Sequence, residues 1–171
     1  DAEWIADLLR HGLLKGSFVP TREQRELREL TRYRASLIRE RAAEMNRLQK
    51  VLEGANIKLG SVVSNINGQS ARAMLEQLVA GSTDLTAIAE LAQGRMREKI
   101  PLLEKALMGR FGAHQRFLVA HQLAHIDSLD ELIEQVSGEI EERMRPFEEA
   151  VERLDTIPGV GRETAEVIVA E

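Results

Sequence analysis

Apolar residues recur along most of the chain at intervals of three and four, the spacing that places side chains on one face of an α-helix. The longest such stretch begins after Pro20, has Thr21 as its N-cap, and runs to about Glu53. Its apolar positions are Leu27, Leu30, Leu37, Met45, Leu48 and Leu52. The spacing predicts a helix of about 32 residues, roughly 48 Å long. Its apolar stripe needs an antiparallel partner or a second copy of the chain to cover it.

A second long pattern lies near the C-terminus. It predicts a helix that begins at Asp127 or Ser128 and ends at about Leu154, with a kink near Glu142 because Pro146 has no N–H to donate. Its heptad positions are Ile126, Leu129, Ile133, Val136, Ile140, Phe147 and Leu154. Two long helices of this kind favour an antiparallel coiled-coil hairpin.

The remaining segments are shorter. A Gly-, Asn- and Ser-rich connector covers residues 54–69 and follows the first long helix. Short helices are expected over residues 2–14, 69–80, 84–92, 95–109 and 113–124. No segment has the alternation of a strand. The predicted fold is therefore all-α, a long antiparallel coiled-coil helical hairpin with short connecting helices that ends in a helix-hairpin-helix motif.

Composition narrows the class of protein. The chain is 43% hydrophobic and 4% aromatic, which suits a helical core better than an all-β one. It contains no cysteine, which excludes disulfides, a thiol nucleophile and a thiolate zinc site. No apolar run approaches the roughly 18 residues of a membrane span, so we expect no membrane partner.

The net charge of −5 is not typical of a protein that coats nucleic acid, but the charge is unevenly distributed. Residues 22–50 carry nine basic and five acidic side chains, whereas residues 127–155 carry three and eleven. Opposite signs favour pairing of the two long helices, and a basic face on the first could contact phosphates. The candidate residues are Arg32, Arg34, Arg39, Arg41, Asn46, Arg47 and Lys50. A solvated helix face balanced by glutamates is the alternative.

The most specific short motif is Ile-Pro-Gly-Val-Gly at residues 157–161, between two predicted helices. This pattern is typical of a helix-hairpin-helix, in which backbone N–H groups around Gly159, Val160, Gly161 and Arg162 can receive a phosphate oxygen. A tight turn between helices with no ligand is the alternative.

Catalytic patterns are absent from the sequence. His114, His121 and His125 share one helical face, but no carboxylate completes a metal site in the same turn, and histidines at the edge of a core are the favoured interpretation. No serine has a paired histidine and acid, and no Walker-type phosphate loop occurs. We therefore expect the segment to be inactive alone.

Several short elements together are similar to a known family. They include Asp1-Ala2, Arg32-Tyr33-Arg34, Asn46-Arg47-Leu48, Ala55-Asn56-Ile57-Lys58-Leu59 and the stretch from Leu154 to Glu171. These elements resemble the middle of DEDD-type insertion-sequence transposases, the IS-one-ten family, which includes the Piv-type DNA invertases. The resemblance extends over essentially the whole chain.

The resemblance implies a segment of a longer recombinase. Residues 1–16 would end a RuvC-like nuclease domain, residues 17–155 would form a coiled-coil dimerisation region, and residues 156–171 would begin a C-terminal transposase domain. Asp1 would be one ligand of the Mg²⁺ held by the full-length parent; this segment alone would hold no cofactor. Members act in the bacterial or archaeal cytoplasm, as dimers or higher homo-oligomers, on DNA, and many are guided by a structured RNA.

Three functions remain open at this point. The favoured one is the central helical segment of a transposase, which provides dimerisation and contacts to DNA or guide RNA for DNA transposition. The others are a structural coiled-coil adaptor and a helix-hairpin-helix DNA-binding module of a repair protein. The net charge of −5 favours the adaptor, whereas the long coiled coil is not explained by the repair module.

Overall fold

A computed structural model describes residues 2–14 and 19–171. The described residues are all-helical, as predicted, and contain no strand. Their α-helices are α1 (Ala2–Arg10), α2 (Arg22–Gly54), α3 (Gln69–Ala80), α4 (Leu85–Ala89), α5 (Ile100–Ala106), α6 (Ala113–Met144), α7 (Glu148–Asp155) and α8 (Arg162–Ala170). Short 3₁₀ segments occur at Leu59–Ser61, Gly94–Lys99 and Arg145–Phe147. Within these ranges no helix is both long enough and apolar enough to cross a membrane.

The first long helix, α2, lies where its periodicity places it. The side chain of Thr21 accepts a hydrogen bond from the backbone N–H of Gln24 at 3.3 Å, so the predicted N-cap is present. At the other end Asn56 adopts a left-handed conformation with φ of 60°. The N–H of Ile57 then bonds to the carbonyl of Leu52 at 2.8 Å, which satisfies a terminal carbonyl and ends the helix.

The second long helix differs from its prediction at both ends. Residues 113–124 and the start of the long pattern form one helix, α6, and Asp127 is a mid-helix residue rather than a cap. Its carboxylate instead accepts two hydrogen bonds from Arg72, at 2.8 and 2.5 Å. Pro146 has no N–H to donate, and α6 ends just before it, at Met144. In place of one kinked helix to Leu154, the structure therefore has α6, a 3₁₀ turn and α7.

The short helices are mostly shorter than expected. α1 ends at Arg10, and Gly12 beyond it has φ of 69°. The stretch predicted over 95–109 divides into a 3₁₀ segment and α5, because Pro101 fits the first turn of a new helix. Asp84 caps α4 through the N–H of Ala87 at 3.0 Å, as expected from the sequence.

The chain divides into two compact units. Unit 1 comprises Asp1–Thr31 with Arg143–Glu171, and unit 2 comprises Arg32–Glu142. In unit 1, α7 and α8 pack against each other, and the buried side chains include Val151, Ala165 and Ala170.

Unit 2 contains the larger core. Its fully buried side chains come from α2, the connector, and helices α3 to α6, and include Leu48, Leu52, Ile57, Leu59, Met74, Leu75, Ile88, Leu103 and Ile126. The connector looks polar in sequence, yet Ile57, Leu59, Val63 and Ile66 are all buried. It is therefore a packed part of the unit rather than a solvated loop.

Within unit 2, α2 and α6 run antiparallel where they meet. The guanidinium of Arg41 donates to the carboxylate of Asp130 at 2.6 Å, and the carboxylate of Glu44 lies 3.7 Å from the ring of His125. The residue number rises on α2 as it falls on α6, so the chain directions are opposite. The pairing of a basic with an acidic helix, expected from the charge distribution, is present at Arg41.

The backbone at residues 109–110 approaches the end of α2 closely. The N–H of Arg110 donates to the carbonyl of Ala55 at 2.7 Å. A Cβ on Gly109, the residue before Arg110, would lie 2.4 Å from that same carbonyl oxygen and 2.7 Å from a methyl carbon of Ile57. Only glycine fits this position without a shift of the backbone.

We expect Gly109→Ala to lower the free energy of unfolding by about 1–3 kcal/mol, the usual cost of forcing extra atoms into a packed site. Gly138 on α6 is the matched control, since a Cβ there meets nothing within 4 Å. Because alanine favours a helix interior over glycine, Gly138→Ala should raise stability by about 0.5–1 kcal/mol. Urea unfolding followed by circular dichroism measures both; equal effects of the two substitutions would contradict the close approach.

Candidate nucleic-acid interface

The basic face predicted on α2 is present in part. Arg32, Arg39, Asn46, Arg47 and Lys50 are all exposed. Residues 32, 39 and 46 are seven apart and therefore lie on one side of the helix. This arrangement of side chains can follow a row of phosphates.

Two of the predicted residues do not lie on that exposed face. Arg34 is only 4% exposed, so its side chain belongs to the interior of unit 2. The guanidinium of Arg41 donates to the carboxylate of Asp130 at 2.6 Å, and the side-chain NH₂ of Asn67 in the connector donates to the same carboxylate at 3.4 Å. Both arginines thus belong to the packing of the unit.

Arg47 has an intermediate position. Its guanidinium donates at 2.5 Å to the carboxylate of Glu44, whose side chain is only 8% exposed, while the arginine side chain is 63% exposed. A buried carboxylate needs such a partner because an unpaired charge is costly away from water. The side chain of Arg47 can therefore reach solvent, but part of its charge is neutralised.

A second group of cations lies on the segments around the connector, and the sequence reasoning missed it. Residues 94–110 carry five basic and two acidic side chains. We call the exposed basic side chains here and on the connector the cationic cluster: Lys58, Arg95, Arg97, Lys99, Lys105 and Arg110. A charge count over residues 94–110 reveals them. The charge counts for the two long helices, residues 22–50 and 127–155, do not include this segment.

Backbone contacts hold the members of the cationic cluster on adjoining segments. The N–H of Lys58 donates to the carbonyl of Ala106 at 2.7 Å, which places the connector beside Lys105. The ammonium of Lys99 donates to the carbonyl of Val62 at 3.0 Å. In the described part of the chain none of the six is within 4 Å of a carboxylate, so their charge is not neutralised by ion pairs.

Of the two glycines in the turn between α7 and α8, only Gly159 has a positive φ, and a Cβ on either glycine would meet nothing within 4 Å. Gly159 has φ of 88°, and the N–H of Val160 donates to the carbonyl of Ile157 at 2.9 Å. Gly161 is the N-cap of α8, where the helix has no side-chain cap. The turn therefore presents the start of α8 without a capping side chain over it.

The arginine at this turn is already engaged. Arg162 donates two hydrogen bonds to Glu148, at 2.7 and 2.9 Å, and lies 3.3 Å from a carboxylate oxygen of Glu166. The hydrogen bonds from Arg162 lower the pKa of Glu148 below its ordinary value. Two carboxylates beside one guanidinium make the turn a weaker anion site than its motif suggests.

The remaining candidates concern metals. His114, His121 and His125 are exposed on α6, and the ring of His121 bonds to the carbonyl of Phe117 at 2.8 Å. Across residues 2–14 and 19–171 no three His, Asp or Glu side chains are grouped to hold a metal ion. Asp1, the proposed Mg²⁺ ligand, lies outside the described residues. The described residues therefore do not fit a metal centre.

Comparison with known proteins supports a transposase relationship for the N-terminal part. Residues 1–57 match the family model of the DEDD-type IS110 transposases, described as a transposase. The match includes α1 and the whole of α2, where Arg32-Tyr33-Arg34 and Asn46-Arg47-Leu48 lie. No curated protein and no solved structure matches the chain.

We expect the Glu148–Arg162 pair to make unit 1 sensitive to acid. Because the folded chain lowers the pKa of Glu148, the ionised carboxylate stabilises the fold above the ordinary glutamate pKa of about 4.3, and this contribution is lost as pH falls through the lowered pKa. Glu148→Gln should therefore reduce the loss of stability, measured by urea unfolding, as pH falls from about 5 through the lowered pKa. Glu152→Gln, an exposed position on the same helix, is the control. An unchanged acid limb for Glu148→Gln would contradict this role.

Proposed function

We propose that this chain is a central helical segment of a transposase that holds nucleic acid on unit 2. The observation that carries the proposal is the cationic cluster, which is exposed and lacks ion pairs in the described residues. Arg39 and Lys50 of α2 are also exposed. The match of residues 1–57 to the transposase family supports the same conclusion.

The chemistry of such a surface is attraction to phosphates. Lysine and arginine side chains displace counterions from a nucleic acid backbone, so binding weakens steeply with salt and is largely independent of sequence. The net charge of −5 does not oppose this, because many acidic residues lie on α6 rather than in the cationic cluster. The surface would position DNA or RNA, while catalysis would need residues beyond this segment.

Self-association is the second element of the proposal. Several large apolar side chains of unit 2 are exposed, among them Tyr33 at 49%, Phe117 at 62% and Leu132 at 38%. Burying such side chains in a dimer removes apolar surface from water. The heptad positions of α2 and α6 are mostly buried within the chain, Leu37, Leu48 and Ile126 among them, so the exposed apolar side chains rather than the heptads would form this contact. Light scattering of the 171-residue chain measures the stoichiometry.

The α7–α8 turn is a second candidate contact. Its positive φ at Gly159 and the uncapped start of α8 are the features by which a helix-hairpin-helix receives a phosphate. The engagement of Arg162 by Glu148 and Glu166 favours the cationic cluster as the principal surface.

We expect Arg95→Gln with Arg97→Gln and Lys105→Gln to weaken binding to a DNA duplex and to an RNA hairpin. The slope of log affinity against log salt should fall in magnitude by about 3, because each substitution leaves one phosphate without its cation. Fluorescence anisotropy at several salt concentrations measures both quantities.

The control changes charge equally in unit 1. Arg10, Arg22 and Arg153 are exposed arginines beside local carboxylates, at 3.7, 2.7 and 2.5 Å. Replacing these three with glutamine should leave the salt slope nearly unchanged. Equal reductions of affinity in the two triple variants would contradict a specific surface. Absence of binding by the unmodified chain at low salt would overturn the proposal in favour of a structural coiled-coil adaptor.

We also expect Arg39→Gln with Lys50→Gln to weaken binding without altering the unfolding curve, because both side chains are exposed. Arg41→Gln provides the contrast. It removes the partner of Asp130 and should lower stability, by about 0.5–1 kcal/mol for a half-exposed pair. Anisotropy and urea unfolding on the same samples separate the two effects; a stability loss in the Arg39/Lys50 variant would contradict their placement.

A further inference from the structure

Two neighbouring pockets in unit 2 share Ser64 and Asn65 of the connector. One has a volume of about 500 Å³ and lies between the connector, the start of α3 and the segment around Gln93. The other has a volume of about 160 Å³ and lies between the connector and α2, at Asn46 and Gln49. Because Ser64 and Asn65 line both, the two pockets are adjacent, and we call them together the amide groove.

The lining of the amide groove is rich in side chains that both donate and accept hydrogen bonds. The uncharged polar members are Asn46, Gln49, Ser64, Asn65, Gln69, Ser70 and Gln93. No carboxylate and no aromatic ring is among the described residues that line either pocket. Such a lining suits a ligand that carries its own donors and acceptors and has no positive charge.

Internal hydrogen bonds fix several of these side chains and leave capacity for a ligand. The side-chain oxygen of Asn65 accepts from the N–H of Asn67 at 2.9 Å, which leaves its NH₂ group able to donate. The NH₂ group of Gln49 donates to Glu53 at 3.0 Å, which leaves its oxygen able to accept. The backbone N–H of Gln93 donates to the hydroxyl of Ser70 at 2.9 Å, which links the segment around Gln93 to the start of α3.

Cations lie in or near both pockets. Arg95 lines the larger pocket, and Arg97 and Lys99 follow it on the same 3₁₀ segment. At the α2 end, Lys50 is exposed one helical turn beyond Asn46. A chain of phosphates could therefore lie along the rim while neutral groups enter the depression.

We infer that the amide groove binds unpaired bases of a nucleic acid strand whose phosphates lie on the cationic cluster. The inference rests on the proposed function and adds a substrate form to it. A base carries donors and acceptors on edges that amide side chains match, and asparagine or glutamine pairs well with adenine. The volume of about 500 Å³ falls in the range of small-ligand sites.

The form of the strand follows from the concave shape. Bases in a duplex are stacked and paired, and they reach a pocket only when the helix is opened at an energetic cost. Unpaired bases of a loop or a single strand present their edges freely. Since the lining has no aromatic ring on which any base could stack, hydrogen bonding dominates, and a preference among bases is expected.

The test uses the 171-residue chain with 12-nucleotide single strands of poly(A), poly(C) and poly(U) RNA, their DNA counterparts, and a duplex. Gln49→Ala with Gln93→Ala removes two groove amides and no charge. We expect affinity for single strands, adenine-rich ones above all, to fall by at least about fivefold, with duplex affinity and the salt slope unchanged. Gln77→Ala with Gln135→Ala, at exposed glutamines outside both pockets, is the matched control.

The outcomes separate the groove from the cationic surface. Tighter binding of RNA than DNA would add a contact to the 2′-hydroxyl, and equal binding would assign recognition to the bases; both support the groove. Unchanged single-strand affinity in the groove variant, or an equal reduction in the control, would overturn the inference while the salt-dependent duplex binding stands. Absence of binding to every nucleic acid would overturn the proposed function and this inference together.

Discussion

The carboxylate of Asp130 joins three parts of unit 2. It accepts a hydrogen bond from Arg41 on α2 at 2.6 Å and another from Asn67 on the connector at 3.4 Å, while its own backbone belongs to α6. A half-buried carboxylate with two donors fixes the relative position of the segments that carry them. The cationic cluster and the amide groove both include residues of this connector, Lys58 in the first and Ser64 and Asn65 in the second.

This arrangement changes how the charge of the long helices is interpreted. A basic α2 beside an acidic α6 first suggests that α2 is the surface for phosphates. In the structure Arg41 forms an ion pair with Asp130 of α6, and Arg34 is buried. Arg47 forms an ion pair with the buried carboxylate of Glu44. The positive charges that remain exposed without a carboxylate partner in the described residues belong mainly to shorter elements, where a charge count over a short window reveals them.

The sequence predicted several local features well, but among tertiary features it predicted only the pairing of a basic with an acidic helix, which is present at Arg41. The bounds of α2 and α3 and the cap at Asp84 follow from periodicity and turn chemistry within a few residues. The continuity of α6 through Asp127 could not be foreseen, because a residue that caps helices well also pairs well with a distant arginine such as Arg72. Of the candidate site, the sequence located the exposed face of α2 but not the groove, which exists only when residues 46–49, 64–70 and 93–95 come together.

The buried side chains of the connector have a consequence for how this protein can vary in length. Loops between helices usually accept insertions because they run over the surface. Here Ile57, Leu59, Val63 and Ile66 fill the core, and the backbone of Lys58 bonds to Ala106. An added or deleted residue between α2 and α3 would shift all of these contacts at once. Packing therefore fixes the number of residues between α2 and α3. We expect a change in this number to be tolerated as poorly as a substitution in the core.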